Sequence, residues 1–174
     1  MKILVITVSD RAFKGIYEDK SGAVIVKTLE DSLKEKITNI EKIIIPDEYD
    51  TILNTLNENK NKFDIIITTG GTGLSQRDVT PEATEAFCKK EVRGISDYIR
   101  QESIKDTIFA TLSRGYAGIN DNVFVVNFPG SKKGAEYCTN LIIPLLEHII
   151  SMMKGRTLNI FINNKNKINL KVLL

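Results

Sequence analysis

The sequence predicts an α/β fold, a single-domain three-layer α/β/α sandwich built around a mainly parallel sheet. Three observations lead to this prediction. Short continuous apolar runs are typical of buried strands, segments with helical periodicity alternate with them, and a glycine-rich loop follows the third strand. Strands that alternate with helices need crossover connections, and these place helices on both faces of a parallel sheet.

The first strand and helix come from the N-terminal part of the chain. The run "ILVIT" (3–7) is apolar and rich in β-branched residues, as expected of a strand covered on both faces. A polar loop, "SDRAFKGIYEDKSG" (9–22), follows it. The apolar residues after this loop recur at helical spacing and predict an amphipathic helix. Its stripe consists of Val26, Leu29, Leu33 and Ile37.

The second and third strands are predicted at 40–46 and 63–69. Pro46 ends the first of these, because proline cannot continue a strand ladder. The segment between them, "EYDTILNTLNENKNK", carries apolar residues at helical spacing and predicts a second helix. The strand at 63–69 runs directly into the glycine loop.

The C-terminal half continues the same alternation. Thr80 is predicted as a helix N-cap with Pro81 in the first helical position. A further helix is expected at 93–104 and a last core strand at 122–130. A long helix begins at about Lys132, and Pro144 is expected either to kink it or to mark its true start.

We divide the chain into a ligand-binding domain at 1–155 and a C-terminal extension at 156–174. The extension contains two β-prone runs around "NNKNK". These runs are typical of a closing hairpin or of a strand that contacts another subunit.

Composition excludes several classes of function. The chain has 24 Lys and Arg against 22 Asp and Glu, so its net charge of +2 gives no broad surface for nucleic acid. No apolar run reaches membrane-spanning length, and the N-terminus lacks the features of a signal peptide. Cys88 and Cys138 are far apart and form no metal or redox motif. We therefore expect a cytoplasmic protein without a nucleic-acid or membrane partner.

The loop "GGTGLSQRD" (70–78) fits neither of the two common phosphate-binding motifs. It lacks the Lys-Ser/Thr pair that ends a P-loop. A dinucleotide-binding loop should follow the first strand of its unit and precede an acidic residue by about 20 positions. Here the glycines follow the third strand, which also disfavours a nicotinamide-dependent oxidoreductase.

What remains is either a tight turn or an anion-binding nest of main-chain N–H groups. Gly70, Gly71 and Gly73 permit such a nest, and the Thr69 and Thr72 hydroxyls are further donors. The helix after Pro81 would add its positive dipole end. A carboxylate within this loop would repel a bare phosphate, so Asp78 favours a divalent cation between the two charges.

Five ordered blocks of sequence resemble the molybdopterin adenylyltransferase family of molybdenum-cofactor biosynthesis and the related protein B group. The resemblance covers about residues 2–153. The blocks are "TVSDRAFKGIYEDKSG", "IIPDE", "TTGGTG" with "RDVTPEAT", "LSR" at 112–114 and "NFPGSKK" at 127–133. The residues of the first block and of "RDVTPEAT" resemble the adenylyltransferase branch more than they resemble the protein B group.

The resemblance implies a molybdopterin-binding-like fold and transfer of AMP from ATP to the phosphate of molybdopterin, with release of pyrophosphate. The substrate phosphate is itself the nucleophile, so no general base is required. Catalysis would depend on alignment and on charge neutralisation by Mg²⁺. The resemblance further implies a homotrimer and a molybdenum insertase as a partner.

Residue by residue, the matching motifs assign the catalytic and metal-binding roles to Asp47 and Asp78. From the residues alone, Asp47 could equally be a helix N-cap, and Asp78 could stabilise a turn. The matching motifs also assign binding of ATP and pterin to a wider set. This set is Ser9, Asp10, Arg11, Thr69, Gly70, Gly71, Thr72, Gly73, Thr80, Ser113, Arg114, Pro129, Gly130 and Ser131.

Several of these residues have simpler alternatives. Arg11 could form a surface ion pair, Arg114 could be a solvated charge, and Ser131 could cap a helix. Glu82 is expected to be a first-turn acid favoured by the helix dipole and not a metal ligand. The alternative function for the whole chain is a non-catalytic molybdopterin-binding or carrier protein.

Overall fold

A computed structural model describes residues 1–155 and, in the C-terminal tail, the backbone of residues 158–163 and 167–172. Six strands form the central sheet in the order β2-β1-β3-β6-β5-β4. Their bounds are β1 Lys2–Val8, β2 Asn39–Ile45, β3 Ile65–Thr69, β4 Lys90–Glu91, β5 Ala117–Asn120 and β6 Val123–Phe128.

The sheet is mainly parallel, as predicted. β1 pairs in parallel with β2 and β3, and β3 pairs in parallel with β6. Two short strands were not predicted, since β4 has two residues and β5 has four. Both run antiparallel to their neighbours and extend the sheet beyond β6.

The described residues contain six α-helices, and all but the short first one contribute to the hydrophobic cores on the two faces of the sheet. They are α1 Asp10–Phe13, α2 Lys20–Leu33, α3 Tyr49–Asn59, α4 Thr80–Phe87, α5 Arg93–Ile104 and α6 Lys132–Met153. Two short 3₁₀ helices lie at Lys34–Lys36 and Ile108–Leu112. Among the residues described, no helix is long and apolar enough to span a membrane.

Two hydrophobic cores, one on each side of the sheet, confirm the three-layer architecture. Ile3 and Val5 of β1 point into the core that α2, α5 and α6 cover. Leu4 and Ile6 point into the other core, beneath α3 and α4. Both sets of β1 side chains are at most 1% exposed, which explains why the strand is continuously apolar instead of alternating.

The structure corrects three predictions of local structure and decides a fourth. α2 ends at Leu33 and Lys34 has a φ of 41°, so Ile37 lies beyond the helix and not on its stripe. The segment 9–22 is not a simple loop, because it contains α1 and the start of α2. Val79 is the N-cap of α4, and Thr80 is the first helical residue. α6 begins at Lys132, as predicted, and continues through Pro144, so the alternative that Pro144 marks the true start is wrong.

The two strands of the tail, β7 Leu158–Asn163 and β8 Lys167–Val172, pair with each other in an antiparallel ladder. They form a separate two-stranded sheet. The boundary between a domain at 1–155 and an extension at 156–174 stays a prediction, as does a role of the tail in oligomer contacts.

Candidate functional site

The carboxyl ends of four parallel strands meet at one edge of the sheet, and their loops carry most of the predicted site. These segments are 9–11 after β1, which includes the start of α1, 46–48 after β2, 70–79 after β3 and 129–131 after β6. The loops after β3 and β6 are in contact, since the Gly70 N–H donates to the Phe128 carbonyl at 3.1 Å. A methyl group on Gly130 would lie 3.2 Å from the Gly70 Cα.

The loop after β3 requires glycine at its first two positions. Gly70 and Gly71 have φ values of 101° and 63°, which L-residues with side chains rarely adopt. A Cβ on Gly70 would lie 2.3 Å from the Val8 carbonyl oxygen. The chain therefore passes close to the end of β1 at this point, and only glycine fits.

The two predicted catalytic carboxylates both lie against this loop. A Cβ on Gly71 would be 3.3 Å from Asp47 Oδ1, and a Cβ on Gly73 would be 2.9 Å from Asp78 Oδ2. The absence of side chains at these glycines thus leaves room beside both carboxylates. Asp47 comes from the end of β2 and Asp78 from the loop after β3, so the fold brings the two together as predicted.

Asp47 is held by a reciprocal pair of hydrogen bonds with Asp10. The Asp10 N–H donates to Asp47 Oδ2 at 2.7 Å, and the Asp47 N–H donates to Asp10 Oδ1 at 3.1 Å. The N-cap position of α3 belongs to Glu48, so Asp47 is not the helix cap that the alternative interpretation proposed. The hydrogen bond from Asp10 therefore holds one carboxylate oxygen of Asp47, Oδ2, in place.

Asp78 stabilises its own turn, as the alternative interpretation expected. The Ser75 N–H donates to Asp78 Oδ2 at 2.9 Å, and the Asp78 N–H donates to the Ser75 carbonyl at 3.0 Å. These bonds hold the carboxylate against Gly73. A turn-stabilising role and a ligand-binding role are compatible, because the first uses only Oδ2.

The electrostatics of the site favour a cation. Burial is the largest effect on Asp47 and raises the pKa of its carboxyl, and the negative charges of Asp10 and Asp78 raise it further. The Asp10 N–H and the charge of Arg77 act in the opposite direction but do not reverse the shift. A positive ligand would relieve the repulsion between these carboxylates.

The donor set fits magnesium bound mainly through a substrate. Among the described residues, Asp47 Oδ1 and Asp78 Oδ1 accept no hydrogen bond, so each carboxylate offers one free oxygen. That part of the chain contains no group of three or more His, Cys, Asp or Glu side chains suited to a metal. Mg²⁺ characteristically uses one or two carboxylates and completes its shell with phosphate oxygens and water.

Arg114 is not a solvated charge, because its side chain and its main chain both donate hydrogen bonds to the glycine loop. Its Nε donates to the Gly73 carbonyl at 2.7 Å, and its two terminal nitrogens contact Glu82 and the Asp78 carbonyl. Its main-chain N–H donates to the Thr72 carbonyl at 3.0 Å. Arg114 therefore supports the nest, and Glu82 is its ion-pair partner in the first turn of α4.

Other predicted residues have local structural roles. Ser9 and Ser131 are the N-caps of α1 and α6, with side chains that accept from Ala12 and Gly134 respectively. The Thr69 hydroxyl donates to the Pro129 carbonyl at 2.8 Å. The Arg11 guanidinium lies 4.9 Å above the centre of the Tyr17 ring.

A cavity of about 450 Å³ opens directly beside the glycine loop. This volume is typical of small-molecule sites. Nine predicted residues line it, namely Gly70, Gly71, Thr72, Gly73, Asp78, Ser113, Pro129, Gly130 and Ser131. The remaining predicted residues lie outside its lining, namely Ser9, Asp10, Arg11, Asp47, Thr69, Thr80 and Arg114.

The far wall of the cavity was missed by sequence reasoning. α5 and the 3₁₀ helix at Ile108–Leu112 contribute Ser96, Arg100 and Phe109, and α6 contributes Tyr137. Phe109 is 75% exposed, an unusual environment for a large apolar side chain. No local motif distinguishes this wall, because its residues meet only through the fold.

Sequence reasoning also missed the role of the "DKSG" segment (19–22). Asp19 is 6% exposed and caps α2 by accepting from the Gly22 N–H at 2.8 Å. It also accepts from the Thr7 hydroxyl and from the Lys42 ammonium, each at 2.9 Å. Burial acts to raise the pKa of Asp19, but these donors outweigh it and the net pKa is lowered. The segment is therefore a structural anchor, recognisable from its N-cap pattern.

The cysteines contribute no nucleophile to the site. Burial raises the pKa of the Cys88 thiol to about 12 and that of Cys138 to about 11, so both are protonated at neutral pH. Both are free thiols, as the sequence predicts.

A family model described as a probable molybdopterin binding domain matches residues 4–148. The chain belongs to this family. Within the molybdopterin-binding family, a relative from Helicobacter pylori named molybdopterin adenylyltransferase is 37% identical over 164 residues, which cover 93% of this chain and 92% of the relative. The resemblance stated from the sequence motifs is confirmed.

Solved structures of the molybdopterin-binding family share the fold. A structure of MogA superposes with a TM-score of 0.82 at 29% identity, covering 88% of this chain and 99% of that one. The molybdopterin biosynthesis enzyme MoaB from Thermus thermophilus gives a TM-score of 0.79 at 35% identity, covering 89% and 97% respectively. The predicted fold class is confirmed.

Proposed function

We propose that the chain is a molybdopterin adenylyltransferase of molybdenum-cofactor biosynthesis. It would transfer AMP from Mg-ATP to the phosphate of molybdopterin and release pyrophosphate. The observation that carries this proposal is that two carboxylates, Asp47 and Asp78, lie against a glycine loop that lines a cavity, with Asp78 itself in the lining. The name and coverage of the Helicobacter pylori relative support it.

The reaction exchanges one phosphoanhydride bond for another. An oxygen of the molybdopterin phosphate forms a bond to the α-phosphorus of ATP, and the bond from that phosphorus to the bridging oxygen breaks. Pyrophosphate leaves with the electron pair. Since the attacking oxygen is already ionised, the chain's task is to align the two phosphates and to neutralise their charge.

The glycine loop supplies the anion-binding part of this task. Two helices begin beside it, because the Thr80 N–H at the start of α4 donates to the Gly71 carbonyl at 3.1 Å, and Gly130, just before α6, touches Gly70. Their positive dipole ends and the main-chain N–H groups of 71–73 favour bound phosphate, whereas the Gly70 N–H is already used by the Phe128 carbonyl. The cavity walls would then hold the heterocycles.

The free oxygens of Asp47 and Asp78 would hold Mg²⁺. When bound, the ion would neutralise charge on the phosphate oxygens during transfer. Asp10 would keep the Asp47 carboxylate turned toward the loop, and the Ser75 turn would do the same for Asp78. Arg114 would keep the loop itself in place.

The proposal extends to the cellular setting. Family resemblance supports a cytoplasmic homotrimer that uses ATP and passes its adenylylated product to a molybdenum insertase. A non-catalytic molybdopterin-binding protein of the protein B type is the competing function, and the similarity to MoaB keeps it in consideration. The presence of both aspartates favours the enzyme.

The test measures pyrophosphate release from Mg-ATP with and without molybdopterin, alongside a binding titration with the pterin. It uses the unmodified chain, Asp78→Asn, and Asp50→Asn as a control at an exposed position in α3. The enzyme predicts pterin-dependent release that collapses only in Asp78→Asn. Tight pterin binding without release by the unmodified chain would instead show the carrier function.

A further inference from the structure

Arg77 connects the two proposed magnesium ligands, although neither the motifs nor the cavity assign it a role. It precedes Asp78 in the loop after β3, and its side chain is 58% exposed. Its Nη2 donates to Asp10 Oδ2 at 2.7 Å, across 67 positions of sequence. The ion pair therefore ties the glycine loop to the segment after β1.

Asp10, the ion-pair partner of Arg77, is also hydrogen-bonded to Asp47. Its carboxylate uses Oδ2 for Arg77 and Oδ1 for the Asp47 N–H, while its own N–H holds Asp47 Oδ2. Arg77 thus fixes the residue that orients Asp47. Without the guanidinium, Asp10 would keep its main-chain contacts but would lose the bond that anchors its second oxygen.

The same residue is part of the turn that presents Asp78. The Arg77 N–H contacts the Ser75 hydroxyl at 3.3 Å, and the Ser75 N–H donates to the Asp78 carboxylate at 2.9 Å. The backbone of Arg77 therefore belongs to the turn around Asp78, while its side chain reaches the Asp10–Asp47 pair. One residue links the positions of both carboxylates.

We propose that Arg77 is a positioning residue that sets the spacing of the Asp47 and Asp78 carboxylates through its ion pair with Asp10. The proposal rests on the proposed function of these carboxylates as a magnesium site. Arg77 would act through Asp10 and would touch neither the cation nor the reacting phosphates.

The experiment measures binding of Mn²⁺, as a spectroscopic substitute for Mg²⁺, to the full chain in the presence of a non-hydrolysable ATP analogue. Arg77→Gln removes the positive charge of the ion pair, and Asp10→Asn removes its negative charge together with one acceptor oxygen. Arg93→Gln is the matched control, because Arg93 is an exposed arginine on α5 whose contact with Asp97 is 3.6 Å long.

We expect Arg77→Gln and Asp10→Asn each to weaken Mn²⁺ binding by about 3- to 10-fold, below the usual loss for partners of metal ligands because the pair is partly exposed. The double variant should be no weaker than either single variant, since both remove the same bond. Arg77→Lys should restore part of the affinity. In Arg77→Gln, pterin affinity and thermal stability should stay close to those of the unmodified chain.

Unchanged Mn²⁺ affinity in Arg77→Gln, or additive losses in the double variant, would overturn the proposal. A fall in pterin affinity and thermal stability in parallel with Mn²⁺ affinity would also overturn it, because a general loosening of the loop would then explain the result. The proposed function fails separately, when the unmodified chain binds Mn²⁺ and ATP but releases no pyrophosphate with molybdopterin.

Discussion

At the residue scale, Asp47 lies in an environment that disfavours a negative charge. Its carboxylate is half-buried beside Asp10 and Asp78, and its raised pKa reports that the folded chain resists the negative charge there. Such strain is typical of residues kept for ligand binding. Asp50, a few positions later, is exposed in the first turn of α3.

Replacing Asp47 by asparagine should abolish most turnover while leaving the chain folded. We expect pyrophosphate release to fall by about two to three powers of ten, because a metal ion contributes several kcal/mol of charge stabilisation. The carboxamide oxygen of the variant would still accept the Asp10 N–H, so thermal stability should be equal or slightly higher. Steady-state kinetics and thermal unfolding of Asp47→Asn and Asp50→Asn check this. Full activity in Asp47→Asn would remove Asp47 from the site.

The pH dependence of magnesium binding follows from the same shift. Only the ionised carboxylate binds a cation, and the pKa of Asp47 lies above the ordinary aspartate value. As pH falls, affinity should therefore decline at a higher pH than an unperturbed aspartate would require. Titration of Mg²⁺ dependence across pH measures this, and a decline confined to the ordinary aspartate range would contradict the role of burial.

Asp19 is the contrasting case of a carboxylate that stabilises the fold. Asp19→Asn should lower the free energy of unfolding by about 1–3 kcal/mol, since it weakens charge-assisted bonds in a buried setting. The control Asp31→Asn removes an exposed i,i+4 pair with Lys27 and should cost about 0.5 kcal/mol or less. Denaturant unfolding compares the two.

The loss of unfolding free energy in Asp19→Asn should depend on pH in a defined direction. The folded pKa of Asp19 is lowered, so its contribution is fully present above the unfolded pKa and is lost as pH falls through the folded pKa. The gap between the unmodified chain and Asp19→Asn should therefore narrow in acid. A gap that is constant with pH would show that the Lys42 and Gly22 contacts are not charge-assisted.

At the element scale, the loop after β3 depends on its glycines. Gly70→Ala should destabilise the chain by about 2–5 kcal/mol, because it combines a left-handed residue with a clash against β1. Gly94→Ala, in the first turn of α5 with nothing within 4 Å, should instead stabilise it by up to about 1 kcal/mol. Thermal unfolding separates the two, and equal effects would contradict the close approach of the loop to Val8.

The elements also show which features a sequence can predict. The core strands were predictable because burial on both faces makes them continuously apolar. β4 and β5 were not, since strands of two and four residues leave too little pattern. The start of α4 was predicted one position too late, because a cap is inferred from residue type and the observed cap, Val79, makes no side-chain capping bond.

At the scale of the whole molecule, the parallel sheet explains why the site could be predicted in outline. Parallel strands deliver their carboxyl ends to one edge, so Asp47 and the glycine loop had to meet there. Three other features of the site join segments that are distant in sequence. They are the hydrogen bonds from Arg114 to the glycine loop, the Arg77–Asp10 ion pair and the cavity wall around Phe109. Such contacts follow from the tertiary fold, and no local pattern encodes them.

Following the AMP group itself distinguishes an adenylyltransferase from a carrier. The purified chain is incubated with molybdopterin, Mg²⁺ and ATP labelled at the α-phosphate, and the pterin product is separated and analysed by mass. We expect the label to be transferred to molybdopterin in an amount equal to the pyrophosphate released. Labelled AMP found only free in solution, or no consumption of ATP while the pterin is bound, would contradict this expectation.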